Sequence, residues 1–143
     1  MNKIYTYLSY AGALPFFFCA LCFIGDIHIL PLLGHTDKVL SGYSLVIASF
    51  MAGSHWGQHL SLIGKWGIYL PAFSNINAIL LWISYIIFSF KILLFIFIVS
   101  FLVLLLIDKI LFEEDLISRD YYRTRCLVSL IAVSSLIISR IYA

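Results

Sequence analysis

The stretch MAGSHWGQHL, residues 51–60, sets His55 and His59 one helical turn apart in a chain that is otherwise close to continuous hydrocarbon. Imidazoles at i and i+4 can share one metal ion or one proton path. A metal set needs further donors, and none is near. Cys19 and Cys22 form a C-x-x-C on another helix, about 7–11 Å to the opposite side of the bilayer midplane. We therefore expect no bound metal, haem or other cofactor. Two readings of His55 remain: a satisfied core histidine, or a proton-relay or quinone-headgroup site with Trp56 and Gln58 beside it.

Depth separates the two rings. With Met51 near the middle of its helix, His55 lies about 6 Å and His59 about 12 Å towards the inner face. The half-thickness of the hydrocarbon is about 15 Å, so His59 is nearly interfacial and His55 is not. Ser74, Asn75 and Asn77 stand at matching depth on the next apolar run. The sequence thus predicts a hydrogen-bonded link from His55 to Ser74 or Asn75.

Other polar groupings are weaker. His28, His35, Asp26 and Asp37 have a metal-like composition, but Pro31 and Gly34 mark their segment as an ordinary polar loop. The run DKILFEEDLISRDYYRTR, residues 108–125, carries five acids and four bases and reads first as a solvated interfacial turn. Within it, Asp108 faces a chance to pair with Arg123 and Arg125 and so clip two helix ends together. The three cysteines, an odd number in apolar runs, read as small buried hydrophobes. No hydrolase elbow, phosphate-cradling glycine loop or paired intramembrane carboxylates occur, and every carboxylate is expected at an interface. The chain shows no visible catalytic machinery.

The elements that hold these groups follow from composition. Of 143 residues, 63% are hydrophobic and 11% charged, and the mean hydropathy is +1.06, far from the soluble norm of about one quarter charged. Such a chain is an integral membrane protein whose first partner is the lipid bilayer. A net charge of +2 without a basic tract gives no support to nucleic-acid binding. Crossing about 30 Å of hydrocarbon takes about 20 helical residues. Runs at 4–25, 39–63, 66–88, 91–107 and 124–142 have that length and lack the alternation of barrel strands. The expected fold is all-α, one polytopic bundle of five transmembrane helices with a loop at 108–123. The first run, too long for a signal-peptide core and without a cleavage motif, is expected to be retained.

Lys3, Lys65, Lys109, Arg119, Arg123 and Arg125 fall on one side, against Lys38, Lys91 and Arg140 on the other. The excess places the N-terminus and the 108–123 loop in the cytoplasm. On the second run Ser49, Gly53, Gly57 and Ser61 form a stripe of small residues, which in lipid lets two helix backbones approach closely. Met51, His55 and His59 share the opposite face, with Ser44 and Ala48 near the same line and Gln58 beside it, so this helix is expected near the centre of the bundle.

YAGALPFF at 10–17, GYSLVIASFMAGSHWG at 42–57, the helix-opening LP at 70–71, LLLIDK ending at Lys109, and YYRTRCLVSLIAVSSL at 121–136 occur in that order. Together they resemble a family of unknown function that includes bacterial inner-membrane proteins and mitochondrial transmembrane protein 69. The resemblance spans nearly the whole chain. It implies a five-helix membrane domain, and it sets Gly53, His55, Trp56, Gly57, Asp108, Tyr121, Arg123 and Arg125 at motif positions; the N-terminus lacks the Arg- and Ser-rich character of a mitochondrial presequence, so a bacterial inner membrane is expected. His59 and the C-x-x-C depart from the pattern. Two functional expectations follow. The first is a non-enzymatic accessory or assembly subunit, with other membrane-protein subunits as partners and a dry, packed His55. The second is a proton-, quinone- or small-molecule-handling protein, a minimal transporter, with a cavity reaching His55.

Overall fold

The computed structural model describes residues 3–58 and 66–143 and is all-helical apart from one minimal hairpin. In chain order the elements are α1 (Lys3–Ile24), β1 (Ile29–Leu30), β2 (Gly34–His35), α2 (Thr36–Gln58), α3 (Trp66–Ile87), α4 (Phe90–Glu113) and α5 (Arg119–Tyr142). Four stretches are long and apolar enough to cross a membrane: Thr6–Ile24, Gly67–Ile87, Phe90–Glu113 and Arg119–Tyr142. The equally long α2 does not stand with them. Its serines, His55 and the polar first turn lower its hydropathy, and several of these groups, Ser41, Ser44 and His55, are buried against protein.

α2 packs on α1, α3 and α4, and α4 packs on α2, α3 and α5, so these two form the middle of the bundle. α1 lies chiefly along α5. Phe16 sits where these layers meet, its ring edge-on to Tyr43 at 5.2 Å and to Phe101 at 5.7 Å between centroids. Those geometries are the ones the ring quadrupole favours. Outside, large apolar side chains such as Phe50, Leu8, Ile68 and Ile86 are exposed, as a lipid-facing surface requires.

Connections are short. After Gly25, Asp26 and Leu32 adopt left-handed φ of 61° and 68°, and Gly34 reaches 94°. These reversals fold β1 back on β2 with Ile29 opposite His35. The Thr36 hydroxyl then donates to the Ile27 carbonyl at 2.9 Å, tying the hairpin to the start of α2. The two-residue antiparallel pairing lies inside the expected polar loop and left no alternation in the sequence to reveal it.

The expected loop at 108–123 is largely helical. α4 continues to Glu113, and α5 begins at Arg119 behind Ser118, whose side chain accepts from the Tyr121 N–H at 3.2 Å. Charge ends an apolar run, but Asp, Lys and Glu do not end a helix. The reversal is confined to residues 114–118, with Asp115 at φ 59°.

Pro15 interrupts the backbone ladder of α1 by lacking an N–H. One turn away, the Tyr43 hydroxyl donates to the Gly12 carbonyl at 2.8 Å, fastening α2 to α1. Tyr43→Phe, which keeps the ring and removes the donor, is expected to lower stability by about 1 kcal/mol. Thermal unfolding of the purified protein in detergent measures this, and a midpoint equal to that of wild type would show the bond to be dispensable.

Candidate functional site

Three rows of core positions meet in the bundle. On α2 the buried row is Leu40, Ser44, Ala48, Met51, His55. On α4 it is Leu94, Phe97, Phe101, Leu104, Asp108, Leu111, and on α5 it is Arg125, Ser129, Ala132, Leu136, Ser139. Steps of three and four residues keep each row on one helical face. His55 and Asp108 therefore occupy positions that apolar side chains fill in neighbouring turns, and Arg125 precedes Ser129 and Ala132 on its row.

They meet one another. His55 Nε2 lies 2.9 Å from Asp108 Oδ1, and Arg125 Nε donates to Asp108 Oδ2 at 2.8 Å. The His55 and Asp108 side chains are 0% exposed and that of Arg125 is 8% exposed. A carboxylate only accepts, so the imidazole hydrogen sits on Nε2. Among the described residues Nδ1 is buried without a hydrogen-bond partner. The carboxylate and guanidinium balance in charge, and the triad links α2, α4 and α5. The guanidinium also lies over the Tyr121 ring at 5.6 Å, a cation–π contact.

The partners expected for His55 are engaged elsewhere. Ser74 donates to the Ala52 carbonyl at 2.7 Å, joining α3 to α2 at a different point. Asn75, one residue further round the helix, is exposed. Asn77 accepts from Ser100 at 3.2 Å, a link from α3 to α4. The expected connection from His55 to Ser74 or Asn75 is thus replaced by the one to Asp108. Arg123 is exposed, so Arg125 alone forms the predicted pair with Asp108. That pair is buried within the bundle.

Along the small-residue stripe, Ser49 is half-buried and Gly53 exposed. A Cβ added at Gly53 would meet nothing within 4 Å. The stripe read as a face for close helix contact is open at Gly53, while the opposite row takes the bundle contacts. Trp56, Gly57 and Gln58 complete α2, but their side chains and surroundings lie outside the described set, as do residues Ser61 and His59 altogether. Cys19 and Cys22 are both buried in α1. In the loop after α1, His28 Nε2 lies 3.2 Å from Asp26 Oδ1, both exposed. Among the described residues no three His, Cys, Asp or Glu gather as a metal site.

The family described as protein of unknown function DUF3429 matches residues 1–141. The chain belongs to that family. No curated protein and no solved structure matches it. The DUF3429 match runs through α2, α4 and α5, so every member of the triad lies within the family domain. What sequence reading missed in this DUF3429 chain is the bond between His55 and Asp108. α2 and α4 pack on each other, and both residues lie in the C-terminal halves of their helices.

Proposed function

We propose that this protein is a five-span bacterial inner-membrane protein with a cytoplasmic N-terminus, acting as a non-enzymatic accessory or assembly subunit of a larger membrane complex. The observation that supports the reading is the His55–Asp108–Arg125 triad. Its three ionisable groups are buried and spent on one another, which suits a device that fixes helix register better than one that meets a substrate. A proton- or quinone-handling centre at His55 would need space beside the ring, whereas His55 is fully enclosed and its Nε2 is engaged. The resemblance to bacterial inner-membrane proteins and to mitochondrial transmembrane protein 69 supports the location. The excess of Lys and Arg near the N-terminus and the 114–118 turn supports the orientation. α2 fits as the fifth span, polar groups inward and Val46 and Phe50 outward.

Gly53, open and exposed, gives the test. Gly53→Leu places a side chain in free space and removes a helix-weakening glycine, so the isolated chain is expected to be as stable as wild type or slightly more so. In native electrophoresis of gently solubilised membranes, wild type is expected in an assembly well above its own 16.3 kDa, and the variant released from it. An assembly untouched by the variant removes this face from the reading. A wild-type chain that migrates alone removes the reading itself.

A further inference from the structure

An open cavity of about 620 Å³ lies at the end of the bundle where α3 gives way to α4 and α2 begins, within the range of about 300–1,000 Å³ usual for small-molecule sites. Its walls include Asp37 and Lys38 in the first turn of α2, Tyr85 and Ile86 at the end of α3, and Phe90 at the start of α4. The apolar spans Gly67–Ile87 and Phe90–Glu113 end and begin beside it, so it straddles the level at which hydrocarbon gives way to headgroups. Ile86 is strongly exposed on the outside of the bundle. On that side the cavity meets lipid.

The charges select the guest. Asp37 and Lys38 are both exposed, so a guest can reach them. Consecutive residues on a helix do not face each other, and among the described residues neither side chain forms an ion pair. The Asp37 carboxylate accepts the Lys38 backbone N–H at 2.7 Å, which holds it against the first turn of α2. One cavity thus presents a carboxylate and an ammonium that do not neutralise each other directly. A lone anion at Lys38 would stand beside the Asp37 charge, and a lone cation at Asp37 beside the Lys38 charge, each a like-charge contact. A group carrying both signs meets both. The rings of Tyr85 and Phe90 on the same walls suit its cationic end through cation–π attraction, and the apolar Ile86 side suits hydrocarbon, which a soluble zwitterion lacks. We propose that this cavity seats the headgroup of a zwitterionic phospholipid, its phosphate towards Lys38 and its ammonium towards Asp37, with the acyl chains leaving along the Ile86 side.

The test is native mass spectrometry of the full-length protein in detergent, titrated with phosphatidylethanolamine. Phosphatidylglycerol, which keeps the phosphate and lacks the ammonium, and free phosphoethanolamine, which lacks the chains, are titrated beside it. Wild type is expected to bind phosphatidylethanolamine saturably and about threefold to fivefold more tightly than phosphatidylglycerol, the worth of one exposed charge contact. Asp37→Asn, whose amide oxygen can keep the bond from the Lys38 N–H, is expected to erase that preference. Lys38→Gln is expected to weaken both lipids by a similar factor and to leave the preference in place. Both residues are exposed, so neither variant is expected to move the unfolding midpoint of the lipid-free protein. Equal affinity of wild type for the two lipids, a preference that survives Asp37→Asn, unchanged binding in Lys38→Gln, or free phosphoethanolamine binding as tightly as the lipid would each overturn the proposal.

Discussion

Asp108→Ala is expected to be the most damaging single substitution in the protein, lowering stability by about 3–5 kcal/mol. The carboxylate holds two partners, His55 at 2.9 Å and Arg125 at 2.8 Å. Its loss leaves a buried guanidinium without a counter-charge and a buried imidazole N–H without an acceptor, and it opens a hole on the α4 core row. Removing one member of a buried pair costs more than the pair contributes, because the survivor keeps the desolvation penalty and loses the compensation. With total stability of about 5–15 kcal/mol for an ordinary domain, the variant is expected to accumulate poorly in membranes. The measurement is the thermal or denaturant midpoint in detergent beside that of wild type. A shift no larger than that of an exposed control such as Arg123→Ala would mean that the triad does not hold the helices.

Replacing the whole triad is expected to have the opposite sign. His55→Leu, Asp108→Val and Arg125→Met, combined, swap three polar groups for apolar ones of similar total volume on rows whose other members are apolar side chains and serines. Exchanges of a buried ionic cluster for packed hydrophobes are commonly neutral or stabilising by about 1–4 kcal/mol. The triple variant is therefore expected to unfold no earlier than wild type, although one of its component changes disrupts the same network. Strong non-additivity among touching residues is the signature sought. Native electrophoresis of this variant then separates two roles. Retention of the larger assembly fits a triad that only sets helix register, and loss of it in a stable protein assigns the triad a part in the partner contact.

The helices were legible because hydrocarbon imposes a length, and runs such as 66–88 and 124–142 display it without interruption. Their ends were less so. α4 runs on through Asp108 and Lys109 to Glu113, since hydropathy marks where oil stops and caps mark where the helix stops. α2 was readable as a two-faced helix from Ser44, Ala48, Met51 and His55, all buried, yet the outward position of Gly53 depends on where other helices lie. The pairing of Asp108 with Arg125 could be read from neighbouring helix ends. The meeting of His55 with Asp108, 53 residues apart, required the register of two non-adjacent helices, which no local pattern contains. The run at 92–107 is apolar at nearly every position, so the sequence does not single out the face that carries Leu94, Phe97, Phe101, Leu104 and Asp108.

The links of the triad also impose an order on biogenesis. His55 leaves the ribosome first, Asp108 next and Arg125 last, on the helix that α1 chiefly packs against. Until α5 arrives, Asp108 waits without its cation and α1 without its main neighbour. A chain stalled before Arg125 thus holds an acidic group that no cation offsets, a mark that sets an unfinished copy apart from a finished one.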